Sequence, residues 1–284
     1  MVSVYCGVGK PSSLQMYLEP FLKDVAVLAS NGMVLKGAHV DVKLTAMICD
    51  APARSYVKAI TGHNGYNACP VKAAIRKANA LMASRHSQTC SHPNDDERHH
   101  TGVSSFLSLN IDVVTWFPTE YVHLVCLGVM PRLLKNRVCP GYSRRLSRVI
   151  RSHLNEGLRQ SAAFFPTHFQ RKPRDTEELD RRKRTEYLTF LFYVGPVLLK
   201  YVVTPEQYEH HLMFHVAIRI LVSPKHHLVF NQCLRDLLRY FVQGYSELYG
   251  ARQLVYNAHT LSHLADQCLD HEPLDSFSAF PFES

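Results

Sequence analysis

The chain offers no C-x-x-C pair among its eight cysteines, and no apolar segment follows a basic start at its N-terminus. A disulfide framework and a secretory signal are both unexpected on these grounds, and we read an intracellular protein. Long hydrophobic runs are also scarce. The most apolar stretch, Tyr187 to Val203, has 17 residues but includes Gly195, Pro196 and Lys200. That is the short limit of a membrane span, with a break inside it, so a buried helix pair and no membrane partner are expected. The chain has no G-x-S-x-G elbow, Walker phosphate loop or dinucleotide fingerprint, which removes the most easily read enzyme classes. His259 and His263 share a helical face followed by Asp266, but Thr260 stands where the H-E-x-x-H pattern of metalloproteases needs its Glu. Internal repeats and low-complexity tracts are missing too.

What is present belongs to a folded protein. Hydrophobic residues make up 46% and charged residues 20% of 284, with 14 Phe and 14 Tyr, enough for a core in one or two domains. The formal net charge of +8 favours an anionic partner. Val2 to Cys6 alternates weakly and stops at Gly7, as a short strand does. Ser12 or Ser13 can cap a helix in which Leu14, Tyr17, Leu18, Phe21, Leu22, Val25 and Leu28 recur, kinked at Pro20 and ended by Asn31-Gly32. From Val40 to Cys49 the pattern reads as a strand that becomes fully apolar before Asp50-Ala51-Pro52. Asp50 then sits at the mouth of a buried strand, where a nuclease holds a metal ligand. An Asp in this context is also a common turn or cap residue.

Residues 61–115 read as an irregular insertion, in which Cys69, Cys90, His86, His92, His99 and His100 crowd together. These are zinc-type ligands, although Lys72 occupies the second position of a C-x-x-C knuckle and surface histidines with buried thiols fit equally. Residues 116–284 read as mainly helical. Thr204-Pro205-Glu206-Gln207 forms a capping box, and an apolar stripe from Leu234 to Tyr249 is closed by Gly250. Within this region, Pro131 to Arg184 holds 15 Lys or Arg against 5 Asp or Glu, a net of +10. Arg144, Arg145, Arg148, Arg171, Lys172, Arg174, Arg181, Arg182, Lys183 and Arg184 are its candidate phosphate contacts. A solvated charged face or a nuclear import signal accounts for the same run.

Several strings resemble animal transposon proteins of the CACTA (En/Spm-like) type. They are Tyr5-Cys6-Gly7 with Lys10 to Leu14, Ile48 to Arg54, Gly62-His63-Asn64-Gly65-Tyr66 with Cys69, and His99-His100-Thr101-Gly102. Further along come Phe117 to Val129, His215 to Leu221, and Asp275 to Glu283, so the resemblance covers nearly the whole chain. It implies an RNase H-like transposase in which three carboxylates hold two Mg²⁺ or Mn²⁺ ions for DNA cleavage and strand transfer. On that pattern Val2 to Cys6 resembles the third strand, Leu14 to Leu28 the first helix and Val40 to Asp50 the fourth strand. Residues 1–60 are thus expected to be an incomplete α/β RNase H-like core, with the first strand and its Asp preceding Met1. Asp50 is the implied second ligand and Glu186 the candidate third. Glu120 stands where relatives carry Asp before Tyr-Met-His.

With the first ligand missing, the expectation is a transposase-derived nuclear protein deficient in cleavage. Its expected partner is DNA, zinc is a candidate in the insertion, and self-association is allowed. The competing expectations are a non-catalytic nucleic-acid-binding module and a zinc-stabilised interaction domain.

Overall fold

A computed structural model describes residues 11–60, 62, 104–106, 115–142 and 145–282. The chain divides into two compact units, Met1–Pro118 and Thr119–Ser284.

In the first unit, helix α1 (Leu14–Asn31) starts at Ser13, whose hydroxyl accepts from the Met16 amide at 3.3 Å, and ends at Gly32 with φ of 62°. Those are the two ends that the serine and Asn-Gly signals specify. The helix continues through Pro20. Its buried face, Leu18 and Leu22, packs with Phe106 and Phe117, two rings meeting edge-on at 5.3 Å. Strands β1 (Met33–Leu35) and β2 (Ala38–Val40) form an antiparallel hairpin whose residues are all exposed. Lys36 and Gly37 both have positive φ, the requirement of a tight two-residue turn that follows the natural strand twist.

The expectation of an α/β RNase H-like core is overturned here. Among the described residues the sheet consists of this hairpin, and the protein is largely helical. Residues 41–50, expected as a buried strand, take no regular secondary structure. Alternation alone does not make a strand, because each buried backbone group needs a partner. Within this segment the Met47 amide donates to the Trp116 carbonyl at 2.7 Å. Val2 to Cys6 lies outside the described residues. After residue 50 the chain enters helix α2 (Ala51–Val57).

Among the described residues of the second unit, all regular structure is helical. Helix α3 begins as a π-helical stretch, Val122–Val129, and continues as Met130–Val138. Helix α4 (Arg148–Ala163) is capped by Ser147. A 3₁₀ turn, Thr176–Arg181, leads to α5, which runs from Arg184–Thr189 through π turns at Phe190–Val194 into Gly195–Leu198 and Leu199–Tyr201. The apolar run around Gly195-Pro196 is therefore a helical element with Tyr187, Phe190, Leu191 and Val194 buried. No helix among the described residues is long and apolar enough to cross a membrane. Gly195 allows a close approach, since a Cβ there would lie 2.6 Å from His211 Nε2.

Helix α6 (Pro205–Leu221) opens with the reciprocal Thr204–Gln207 capping box, and α7 (Asn231–Tyr249) ends at Gly250 with φ of 93°. The two pack through stacked rings, Phe214 on Phe241 at 4.8 Å and His210 on Phe241 at 4.1 Å. Short helices α8 (Tyr256–Thr260) and α9 (Leu264–His271) close the unit. Polar groups are buried inside this aromatic core. Arg137 is inaccessible to solvent and donates to the Tyr249 hydroxyl at 3.3 Å, while both ring nitrogens of fully buried His211 lack partners. Burial holds the His210 imidazole down to about 4 and that of His211 well below its ordinary value, so both rings are neutral near pH 7.

Candidate nucleic-acid interface

The three candidate catalytic carboxylates are each occupied locally. Asp50, in the first unit, is the N-cap of α2, and its Oδ1 accepts from the Ala53 amide at 2.7 Å. In the second unit, Glu186 takes a two-pronged ion pair from Arg174, with both N–O distances 2.8 Å, and also accepts from the Lys183 amide at 2.8 Å. Such a fork satisfies both carboxylate oxygens.

Glu120 is buried deepest. Its Oε1 accepts from the amides of Val122 at 2.7 Å and Ala279 at 2.9 Å, and its Oε2 from the His123 amide and ring, each at 2.8 Å. Burial alone would raise this carboxyl, but the bonds from His123, Ala279 and Val122 outweigh it and hold the group below its usual range. Around Glu120, Tyr121 donates to Asp275 Oδ1 at 2.6 Å, and Gln267 accepts from the Thr119 amide at 2.9 Å. The strings around residues 117–129 and 275–282 therefore meet in space, and there Glu120 joins the start of α3 to the final segment.

Lone pairs already filled by N–H donors do not suit Mg²⁺ or Mn²⁺ coordination. Among the described residues no group of three or more His, Cys, Asp or Glu is arranged to hold a metal ion. His259 and His263 pack ring to ring at 5.4 Å, and Asp266 pairs with Arg235 at 2.6 Å. Cys69, Cys90, His99 and His100 lie outside the described residues.

The basic segment separates into two populations. Arg145, Arg148, Arg171, Lys172, Arg181 and Lys183 are exposed. Arg174 is committed to Glu186 and Glu178, and Arg159 to Glu156 and Asp175. Arg182 is buried, donates to the Arg174 carbonyl and lies over the Phe190 ring at 5.8 Å, and burial lowers its guanidinium below the ordinary value. Arg184 sits over Phe280 at 5.6 Å. Arg144 lies outside the described residues.

Arg171, Lys172, Arg174 and Arg182 line a small cleft with Glu186, Thr189 and Phe190. Four cations there face one carboxylate, already held by Arg174, so the cleft carries excess positive charge.

An aromatic row that the sequence reading did not single out includes residues close in the chain to the cleft lining. Phe165 packs on Phe169 at 4.7 Å, and Phe169 meets Tyr193 edge-on at 5.5 Å. The Arg219 guanidinium of α6 lies 5.6 Å from the Tyr193 centroid and 5.2 Å from that of Phe192. Row and cleft share two chain segments, since Phe169 precedes Arg171-Lys172 and Tyr193 falls between Phe190 and Val194 of the lining. The available signal was the aromatic cluster Phe164, Phe165 and Phe169 followed directly by the basic Arg171-Lys172.

Compared with known proteins, the chain matches no family model, no curated protein and no solved structure.

Proposed function

We propose that the protein is a non-catalytic nucleic-acid-binding protein whose helical unit grips phosphates. The observation that carries this reading is a cleft lined by exposed Arg171 and Lys172 whose one carboxylate is already neutralised, with exposed Arg181 and Lys183 flanking its Arg182 in the chain. A polyanion is the partner that such a surface binds, with affinity drawn from released counterions. The resemblance to CACTA-type transposon proteins supports DNA as the nucleic acid, a nuclear site of action and descent from a transposase. Its catalytic half is not carried into the proposal, because Glu120 and Glu186 spend both oxygens on N–H donors and Asp50 spends Oδ1 on capping α2.

The test is fluorescence polarisation with labelled DNA across a salt series, on the full chain and on the variant Arg171→Glu/Lys172→Glu/Arg181→Glu. Arg182 is left intact because reversing a buried guanidinium would unfold the unit. Binding should weaken more than tenfold in the variant, and the log–log salt slope should shrink by about one unit per lost cation. Binding that is absent at low salt, or unchanged in the variant, would exclude the reading.

A further inference from the structure

Resting on the nucleic-acid reading above, we infer that the partner is single-stranded, its bases stacking on the Tyr193 row while its phosphates pass along the neighbouring cationic cleft. Three features of the surface lead there. Tyr193 is 48% exposed, although Phe190, Leu191 and Val194 around it in α5 are buried, and Phe164, at the C-terminal end of α4, is 88% exposed. Aromatic rings left open to water forgo the burial that normally holds them inside a fold, and a flat apolar ligand restores it. The open ring of Tyr193 is also held in place. Phe169 and Phe192 meet it edge-on, Arg219 lies between it and Phe192, and His215 Nδ1–H donates to the Leu191 carbonyl beneath the row at 2.9 Å. A ring fixed this way loses little conformational freedom when a base stacks on it. Finally, the cations beside the row demand an anion, so the ligand has to combine flat π faces with regularly spaced negative charge.

A duplex supplies the charge but not the faces, because its bases are stacked inside and extruding one costs a few kcal/mol. A single strand supplies both at once, the pairing of groove and platform that non-sequence-specific single-strand binders use. An acidic protein segment offers charge without a stack of planar rings.

The experiment compares a labelled oligothymidylate of about sixteen nucleotides, within the span that one such binding surface occupies, with a duplex of equal length, on the full chain and on Tyr193→Ala. Tyr193 packs on Phe169 and Phe192, so the melting temperature of each variant is measured alongside and binding is compared well below the lower one. The single strand should bind at least about tenfold more tightly than the duplex. Tyr193→Ala should weaken it about five- to hundredfold, the range of one base–aromatic stack, while leaving duplex affinity and the salt slope unchanged. Tyr193→Trp should restore single-strand affinity, with indole fluorescence quenched on binding. Equal affinity for the two probes, or a silent Tyr193→Ala, would overturn the stacking inference while leaving phosphate binding intact. Absence of binding to both probes would remove the nucleic-acid reading itself.

Discussion

The two units use similar residues to different effect. In the first, the described core is a cluster of four buried side chains, Leu18, Leu22, Phe106 and Phe117, beside a hairpin exposed on every residue. In the second, the helices enclose an aromatic interior that also contains Arg137, His210, His211 and Glu120, all nearly inaccessible. The difference lies in who supplies the partners. Helices satisfy their own backbone, so a helical stripe read from sequence folds into what it announces. A strand requires a neighbour from elsewhere in the chain, and residues 41–50 have no such ladder. The second unit has enough apolar surface to bury polar groups, and it depends on keeping them in one protonation state.

That dependence can be broken most strongly at Glu120. Replacing Glu120 by Ala takes this acceptor from the buried amides of Val122 and Ala279 and from the half-buried amide and ring of His123, and should cost the helical unit about 4 kcal/mol in denaturant unfolding. A loss below about 1 kcal/mol would show that water replaces the carboxylate and that Glu120 is no keystone.

Acid should act next. The imidazole of His210 moves from the ordinary 6.5 to about 4 in the folded protein, so below pH 6.5 the unfolded chain binds a proton that the native state refuses. Stability should fall as the pH drops from about 6.5 to about 4, by roughly 3 kcal/mol from this residue alone. The lowered carboxyls of Glu120 and Glu186 add a loss of the same sign at still lower pH. Thermal melts across that range check the slope, which should flatten in His210→Gln. A flat profile in the parent would mean that the ring is hydrated.

The smallest effect is expected in the first unit. Asp50→Ala removes one cap bond from α2 and should cost about 1 kcal/mol. A nicking assay with Mg²⁺ or Mn²⁺ sharpens the contrast, because the capping role gives no cleavage by either protein. Cleavage by the parent that is lost in Asp50→Ala would reinstate a catalytic carboxylate.

Much of the helical architecture was legible. Ser13 and Gly32 bound α1, Thr204 and Gln207 open α6, and the Leu234 to Tyr249 stripe is α7, because caps and 3.6-residue periodicity are local properties of the chain. The Val40 to Cys49 alternation misled because strand formation is not local. Of the two roles that the sequence allowed Asp50, the structure displays the cap. The positive charge of residues 131–184 was plain in the sequence, but not its division into exposed Arg171 and buried Arg182, eleven positions apart with similar surroundings. The aromatic row was not legible because its members come from residues 165–169, 192–193 and 219, three stretches that meet only when α5, α6 and the connection after α4 pack together.

The bond from the Ala279 amide to Glu120 spans 159 residues. During synthesis Glu120 can take its local bonds from Val122 and His123 at once, but the bond from Ala279 is missing while the intervening helices are translated. The corner around Glu120 is therefore completed only once the segment carrying Ala279 has emerged. Until then, the nascent chain has to be shielded from association through its unfinished aromatic interior.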